Sequence, residues 1–534
     1  MLRADDRPAE GDMRKVRRAG HGEKSVLGQV LCDQHGLEFG KVFTQQFRLQ
    51  NHAGDLPGLQ KTQLGDWWLH SGQDLPVAKL CFAKGQGHLA FLGIGVDPDG
   101  DVITTELLAR KCARWYEAEQ LIAWLNDCAG RFAFVITQGN LQRLYIDPLG
   151  SLGAVYDPVQ QAAGSTLNLV LDRPVEENRE YPITAEAIRE LGRFGFGHTP
   201  DHHVKRLIPN HFLDLTNFTQ RRYWPLPGDI FEPDARQQTA LTEDIVARLK
   251  QVISSLASHT QTHLPLSGGL DSRLLLACSK QSLDKIGLFS HAENQMSRKD
   301  TRIAARLAEF VDAPLRIIDP IRDPDYHITD PNHLMQLSKA CQIATGIGIL
   351  GTEIPRIRHE VLMAHEPGGL MLRGNGSDFL KAVLWRRGVR EYAGRTGHSI
   401  KNGIRMMMLS DKSIVRDPQI QQQYRAWYGS LTGVAADRAY DFMFGEQFLA
   451  HGIGNLMYGM TNNFYISPFN DRRMLGAATC LPPDKRARLE FNLDILERHA
   501  PELNGVHYAR NAVNLHLTAM RQEQQPTAQI RKIA

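Results

Sequence analysis

The residues of this 534-residue chain whose types and spacing are best suited to chemistry are those at 267–272, which read Ser-Gly-Gly-Leu-Asp-Ser. A short apolar run precedes them and Arg273-Leu274-Leu275-Leu276 follows, so we predict a strand, a glycine-rich turn and a helix. The two glycines permit a tight turn with positive φ and a close approach of backbone N–H groups to an anion. A helix that begins near Asp271 adds unsatisfied N–H groups and the positive end of its dipole. The pattern therefore predicts a site for phosphate oxygens, to which Ser267 and Ser272 donate and beside which Asp271 holds Mg²⁺.

This loop differs from the loop of kinase-type and motor-type nucleotide sites, because no Gly-x-x-x-x-Gly-Lys-Ser/Thr segment occurs in the chain. It resembles instead the pyrophosphate loop of the ATP-pyrophosphatase superfamily, whose members transfer AMP to a substrate oxygen and release pyrophosphate. Because six residues match in a strand–turn–helix context, the resemblance is specific. The structural alternative is a glycine-rich turn that only caps a helix.

Further segments resemble the asparagine synthetase family, and they occur in the same order along the chain. In the second half they are 374–378 (Gly-Asn-Gly-Ser-Asp), 465–473 (Tyr-Ile-Ser-Pro-Phe-Asn-Asp-Arg-Arg) and 481–483 (Leu-Pro-Pro), which resemble a second glycine-rich loop, a Pro-Phe-x-Asp segment and a Leu-Pro-Pro segment. In the first half they are 130–134 (Gly-Arg-Phe-Ala-Phe), 147–150 (Asp-Pro-Leu-Gly) and 204–210 (Val-Lys-Arg-Leu-Ile-Pro-Asn), which resemble parts of a glutaminase-type domain. The resemblance covers residues 28–500 approximately.

The resemblance implies a role for several residues of this chain. The residues that would bind the pyrophosphate of ATP are Ser267, Gly268, Gly269, Asp271 and Ser272, with Gly374 and Gly376 of the second loop. Asp271 and Asp378 would act in catalysis as ligands of Mg²⁺. The backbone of Leu266 and Phe289, at the ends of two parallel strands, would hold the adenine. For the family's late catalytic lysine, Lys485 is the nearest candidate and Lys381 is another.

The chain departs from the family where a glutaminase site is expected. A glutamine-using member carries Cys directly after the initiator Met, whereas this sequence begins Met1-Leu2 and its first cysteine is Cys32. The nearest counterpart of the family's oxyanion-stabilising Asn-Gly pair is 92–95, which reads Leu-Gly-Ile-Gly. We therefore expect a front domain without glutaminase activity.

The second loop departs from the family as well. Asn375 and Phe379 stand where the family carries acidic residues that handle the substrate or its amine. We therefore do not expect aspartate as the substrate.

The elements that position these loops fall into two predicted domains within an α/β fold. Residues 28–228 are strand-rich, with predicted strands at 132–136 and 143–146 and a predicted helix at 103–128, and indicate an α+β domain. The resemblance implies that it is a degenerate glutaminase-like (Ntn-type) domain. A proline-containing linker is predicted at 223–228.

The second predicted domain spans residues 229–520. A helix at 240–256, a strand at 286–290 and a helix at 300–311 indicate βαβ units on a parallel sheet. The resemblance implies that this part is a Rossmann-like ATP-pyrophosphatase domain with added helices. Residues 1–27 are predicted to be a flexible leader and 521–534 a tail.

Composition limits the partners. Lys and Arg total 62 against 59 acidic residues, a net charge of +3, so no global field favours nucleic acid or an anionic membrane. No apolar run approaches the ~18–20 residues that span a bilayer. None of the seven cysteines forms a Cys-x-x-Cys pair, which is typical of reduced thiols in a cytoplasmic protein.

We therefore expect an ATP- and Mg²⁺-dependent ligase that adenylates a small-molecule or peptide carboxylate and transfers ammonia or a substrate amine to it. One alternative is an intramolecular cyclase of the β-lactam synthetase or lasso-peptide cyclase type, since these relatives also dispense with the leading cysteine. The other is a scaffold that keeps the fold without catalysis. A homodimer is left open.

Other clusters are predicted to be structural. His359, Glu360 and His365 lack the His-Glu-x-x-His zinc spacing, and His202-His203 is expected in an exposed loop. For the arginines that follow the second loop, a solvated helix face is expected, with contact to an acidic substrate or phosphate as the alternative; they are Arg386, Arg387 and Arg390.

Overall fold

The computed structural model describes residues 25–82, 87–112, 118–180, 194–323, 330–346, 356–385, 399–408, 414–509 and 513–514. Within these ranges the chain forms two antiparallel sheets and one parallel sheet with helices against them, so the fold is a mixed α/β one. The predicted leader up to residue 24 and the whole predicted tail lie outside the described residues.

Two antiparallel sheets of six strands each form the front of the chain. Their strands are β1 (Phe47–Gln50), β2 (Gln60–Leu64), β3 (Trp67–Ser71), β4 (Val77–Cys81), β5 (Gly87–Val96), β6 (Ala129–Gln138), β7 (Leu141–Ile146), β8 (Val155–Asp157), β9 (Ala162–Gly164), β10 (Lys205–Arg206), β11 (His211–Asp214) and β12 (Thr219–Arg222). The first sheet has the order β10-β8-β9-β1-β3-β2, and the second has the order β12-β11-β7-β6-β5-β4. The predicted strands 132–136 and 143–146 are confirmed as parts of β6 and β7.

The two sheets pack face to face around a shared apolar core, and the second sheet buries side chains on its opposite face as well. In β5, Ala90 and Leu92 enter the core between the sheets, whereas Leu89 and Phe91 enter a second core under helices. The helices of this part are α1 (Leu27–His35), α2 (Phe39–Val42), α3 (Thr105–Cys112), α4 (Ala118–Asn126) and α5 (Leu167–Val170). Of these, α3 and α4 cover the second sheet. The single helix predicted at 103–128 is confirmed only in these two helices: residues 103–104 and 127–128 are not helical, and residues 113–117 lie outside the described part.

The third sheet is parallel and has five strands. They are β13 (Thr262–Pro265), β14 (Ile286–His291), β15 (Leu315–Ile318), β16 (Leu370–Leu372) and β17 (Phe464–Ile466), in the order β15-β14-β13-β16-β17. The chain therefore adds β14 and β15 on one side of β13 and then crosses back to add β16 and β17 on the other side. The crevice between β13 and β16, at their carboxyl ends, is where such sheets bind ligands.

The helices around this sheet make up most of the second half. They are α6 (Ala235–His259), α7 (Leu270–Ser279), α8 (Gln295–Phe310), α9 (Pro331–Thr345), α10 (Arg356–Met363), α11 (Ile400–Met408), α12 (Pro418–Gly429), α13 (Val434–Asp437), α14 (Ala439–Met443), α15 (Ala450–Met457), α16 (Arg472–Cys480), α17 (Pro483–Ala487), α18 (Glu490–His499) and α19 (Pro501–Gly505). Short 3₁₀ turns lie at 280–285, 377–381 and 414–416, and a π-helical turn at 444–449. Among the described helices, none has both the length and the apolar character needed to cross a membrane.

The predicted helices 240–256 and 300–311 are confirmed as α6 and α8, but both begin earlier than predicted. The Asp234 carboxylate accepts a hydrogen bond from the Gln237 N–H, and the Asp234 N–H donates in return to Gln237 Oε1. Asn294 caps α8 in the same reciprocal way. These capping boxes satisfy the first N–H groups and so extend each helix at its N-terminus.

The front sheets and the parallel sheet share one apolar core. Leu92 and Ile146 of the front belong to the same buried cluster as Leu264 and Leu372 of the parallel sheet. Arg248 of α6 is buried at this junction, where it donates to the carbonyls of residues 96, 97 and 127 and pairs with Asp471.

The predicted linker begins with two packed aromatic residues. Tyr223 lies against Tyr145, with ring centroids 5.1 Å apart, and Trp224 lies against Phe442 at 5.6 Å. The predicted domain boundary at residue 228 stays a prediction.

Candidate functional site

The predicted strand–turn–helix at 267–272 is present between β13 and α7. Gly269 is the N-cap of α7, whose first residue is Leu270. The two serines brace the turn: the Ser267 N–H donates to Ser272 Oγ at 3.2 Å, and the Gly269 N–H donates to Ser267 Oγ at 3.2 Å. The loop therefore holds a fixed shape at the positive end of the helix dipole.

The prediction of positive φ in this turn is wrong, because Gly269 has a φ of −82° and Gly268 also lies outside the left-handed region. At Gly268 the reason for glycine is close packing. A Cβ there would lie 2.7 Å from the Cβ of Ala509 and 2.8 Å from Asp300 Oδ1, and the Gly268 N–H donates to that same carboxylate at 2.9 Å. A side chain at position 268 would have to push these groups away.

The second glycine-rich loop lies directly against the first one. Both loops leave the carboxyl ends of adjacent parallel strands, since His263 of β13 is in register with Met371 of β16. A Cβ on Gly374 would lie only 2.9 Å from the Cβ of Asp271. The Ser377 hydroxyl donates to Asp271 Oδ1 at 2.6 Å. The structure thus brings together the two segments that the sequence singled out.

A lysine links the two carboxylates predicted to bind Mg²⁺. Lys381 Nζ donates to both carboxylate oxygens of Asp271 at 2.7 and 2.8 Å, and it lies 2.8 Å from Asp378 Oδ1. The exposed fraction of the side chain is 15% for Lys381, against 38% for Asp271 and 24% for Asp378, so the lysine is the most buried of the three.

The charges of this cluster depend on one another. Burial raises the pKa of the Asp378 carboxyl, the Lys381 ammonium opposes that effect, and Asp271 adds to it. Burial lowers the pKa of the Lys381 ammonium, but the two carboxylates outweigh burial and the pKa is raised overall. Lys381 is therefore a permanent cation at neutral pH.

Lys485, the first candidate for the catalytic lysine, is directed elsewhere. Its Nζ donates to Gln238 Oε1 on α6 at 3.1 Å. Lys381, the second candidate, is the lysine that contacts the predicted metal ligands. The signal that could have ranked it first is its position three residues after Asp378 in a turn that begins with glycine.

The backbone groups predicted to hold adenine are bonded to each other. The Leu266 N–H donates to the Phe289 carbonyl at 2.7 Å, and the Leu266 carbonyl accepts from Ser290 Oγ at 2.9 Å. Leu266 directly follows β13, as predicted, whereas Phe289 lies inside β14, two residues before its carboxyl end at His291. The Phe289 ring lies against His365, with centroids 4.3 Å apart.

The turn at residues 147–150, between β7 and β8, packs against the second glycine-rich loop. A Cβ on Gly376, whose φ is +90°, would lie 3.0 Å from the Leu149 side chain. The turn that contains Leu149 is built around Asp147, which accepts hydrogen bonds from the backbone of residues 149, 151 and 152. Asn470 ties this turn to the parallel sheet by donating to Asp147 at 2.6 Å. The 147–150 and 465–473 segments therefore meet at one interface.

The sequence did not reveal a C-terminal segment that covers the first loop. Arg273, fully buried, donates to the carbonyls of Leu503, Val506 and His507 at 2.6–2.7 Å. Its guanidinium lies 3.6 Å from the centroid of the Tyr508 ring. The Ala509 N–H then donates to the Gly268 carbonyl at 3.1 Å. Arg273 sits two positions after Asp271, so one helix turn carries both the site and its anchor.

The remaining sequence candidates lie away from this cluster. His202 and His203 are partly exposed beside Glu180 and Glu176. Arg386, Arg387, Arg390 and the side chain of His359 lie outside the described residues.

In the described part of the chain, no group of three or more His, Cys, Asp or Glu side chains could hold a metal ion. The two carboxylates beside Lys381 nevertheless fit Mg²⁺ bound together with phosphates, since Mg²⁺ takes one or two carboxylates and completes its shell with waters and substrate phosphates.

Comparison of the chain with known protein families gave no match, and comparison with curated proteins gave none either.

Proposed function

We propose that this protein is an ATP- and Mg²⁺-dependent ligase that forms an amide through an acyl-adenylate. The observation that carries the proposal is the meeting of residues 267–272 and 374–381 at the carboxyl ends of β13 and β16. That crevice is the switch point of the strand order, the position where open parallel sheets bind nucleotides. The two loops also bring the chemistry that a pyrophosphate needs: N–H groups, hydroxyls, two carboxylates and a lysine.

In the proposed reaction, an oxygen of the substrate carboxylate attacks the α-phosphorus of ATP. A new O–P bond forms, the bond to the β-phosphate breaks, and pyrophosphate leaves. An amine or ammonia then attacks the acyl carbon, the bond to AMP breaks, and the amide forms with loss of a proton. The reaction consumes ATP and yields AMP and pyrophosphate.

Each residue of the site has a task in this scheme. The N–H groups at the start of α7 and the hydroxyls of Ser267 and Ser272 bind the β,γ-phosphates. Asp271 and Asp378 would hold Mg²⁺, which supplies neutralisation of phosphate charge when bound. Lys381 stands beside both carboxylates and would face the departing pyrophosphate, so it takes the place of the late catalytic lysine for which Lys485 is the nearest candidate in the sequence. The backbone of both loops is held by internal hydrogen bonds before substrate arrives, which is the condition for electrostatic stabilisation of a transition state.

We further propose that the front sheets form a glutaminase-like domain that has lost its chemistry, and that the parallel sheet is the Rossmann-like ATP-pyrophosphatase domain. In support, Cys32 is fully buried and burial raises the pKa of its thiol to about 12, which leaves it inert as a nucleophile. The 92–95 segment lies inside β5, paired along its length with β6. The front domain then serves as the support for Gly376 and the second loop.

The experiment is exchange of labelled pyrophosphate into ATP with a panel of carboxylates, for the wild type and for Asp271→Ala. The proposal predicts exchange that depends on one class of carboxylate and is abolished in the variant. A wild type that binds no nucleotide in the presence of Mg²⁺ would favour the non-catalytic scaffold. Glutamine hydrolysis above background would contradict the inert front domain.

A further inference from the structure

The position of the Lys381 ammonium raises the question of what happens to it when metal arrives. It lies 2.7 Å from one carboxylate and 2.8 Å from the other. Asp271 and Asp378 are therefore separated by no more than about twice an ordinary hydrogen-bond length. Two carboxylates this close repel each other unless a cation stands between them.

A divalent cation and the ammonium compete for this position. Mg²⁺ binds carboxylate oxygens at about 2.0–2.1 Å, shorter than the distances that the ammonium makes, and it would have to draw the same oxygens inward. With Lys381 in place, a metal that entered alone would meet a like charge a few ångströms away. With a triphosphate present, the ammonium gains a new anionic partner and can leave the carboxylates.

We propose that Lys381 is an internal counter-cation that holds Asp271 and Asp378 together before nucleotide binds, so that Mg²⁺ enters only with the triphosphate. This inference rests on the proposed function, because it assumes that these two carboxylates are the metal ligands. It makes the lysine a determinant of binding order. Metal and nucleotide bind as one unit, and free Mg²⁺ does not occupy the site by itself.

The surroundings of the lysine support this assignment. Ser377 donates to Asp271 from the same 3₁₀ turn that carries Lys381, so the turn as a whole is docked onto the carboxylate. Arg486 anchors the turn from behind by donating to the Phe379 carbonyl at 2.7 Å while it pairs with Asp441. The backbone that carries Lys381 is thus held in place, and only the lysine side chain needs to move when nucleotide binds.

The test measures Mn²⁺ binding without nucleotide by electron paramagnetic resonance of the free ion, for the wild type, Lys381→Met and Lys381→Gln. Lys485→Met is the matched control, since it removes the same charge from a lysine that contacts Gln238 instead. Removal of the ammonium from two charge-assisted contacts should tighten Mn²⁺ binding about tenfold or more. Lys485→Met should bind Mn²⁺ as weakly as the wild type. Thermal melts of every variant show which ones are folded, and Lys381→Gln keeps hydrogen bonding if Lys381→Met unfolds.

A second arm adds a non-hydrolysable ATP analogue, which should raise Mn²⁺ binding in the wild type to at least the level of the Lys381 variants. If the wild type binds Mn²⁺ with the analogue but both folded Lys381 variants bind Mn²⁺ alone no better than the wild type, the counter-cation is refuted and the proposed function stands. If the wild type binds neither analogue nor metal under any condition, the proposed function fails.

Discussion

Gly374→Ala is the substitution that most directly tests whether the two loops form one site. The added Cβ would lie 2.9 Å from the Cβ of Asp271. Carbon atoms in contact are usually about 3.5–4.0 Å apart, so the loops must separate by roughly 0.6–1 Å. The obstructing atom belongs to the base of a side chain on a helix and cannot rotate away.

The consequences follow from the short contacts across the gap. Ser377 and Lys381 reach the Asp271 carboxylate at 2.6–2.8 Å, and the separation would lengthen these hydrogen bonds to a distance at which they weaken steeply. Overpacking of this kind costs about 1–3 kcal/mol of stability. A shift of about 1 Å in a catalytic group can cost on the order of 100-fold in rate. We expect a folded protein that binds MgATP at least about tenfold more weakly.

The assay is calorimetric titration with MgATP, alongside thermal unfolding. Gly429→Ala is the control, because it makes the same chemical change at the exposed end of α12, where an added Cβ meets no atom within 4 Å. It should match the wild type in both measurements. Unchanged MgATP affinity in a folded Gly374→Ala protein would refute the claim that Asp271 and the second loop act together.

Three other expectations concern the rest of the molecule. Burial lowers the pKa of His365 from its ordinary 6.5 to about 4. As the pH falls, the unfolded protein therefore binds a proton at this histidine before the folded protein does. The free energy of unfolding should be highest above pH 6.5 and decrease as the pH drops toward 4. His365→Phe should therefore be less sensitive to acid, by about 2 kcal/mol between pH 7 and pH 5 in denaturant titrations, and an unchanged pH slope would contradict the assignment. Thiol alkylation of the native protein followed by mass spectrometry should label exposed Cys81 before buried Cys32, and equal rates would contradict the inert buried thiol. Arg273→Gln should lower the free energy of unfolding by about 3–5 kcal/mol, because buried carbonyls lose a charged donor, whereas a loss under about 1 kcal/mol would show that residues 503–508 are held by other contacts.

Much of the fold follows from local patterns. The strand–turn–helix at 267–272 depends on neighbouring residues: apolar positions, a glycine N-cap and helix formers. Helices α6 and α8 are predictable from periodicity, and their earlier starts follow from capping residues that the sequence already displays at Asp234 and Asn294. That both glycine-rich loops lie at one edge follows from the parallel strands that precede them.

Contacts between distant segments are what the sequence could not provide. The glycine at 268 is required by Ala509 and Asp300, which reach it from other elements, and not by the turn itself. The choice between Lys381 and Lys485 depends on the direction of two side chains, which the 3₁₀ turn and α17 set in three dimensions. The role of Arg273 as the anchor of residues 503–508 likewise depends on how the chain end returns to the first loop.

The central claim, that residues 267–272 and 374–381 form one metal–nucleotide site, is tested most directly by a crystal structure with Mn²⁺ and a non-hydrolysable ATP analogue. The account predicts an anomalous peak between Asp271 and Asp378, with the β,γ-phosphates on the N–H groups at the start of α7 and the Lys381 ammonium turned toward phosphate. A nucleotide bound away from these loops, or a manganese peak that contacts neither carboxylate, would contradict it.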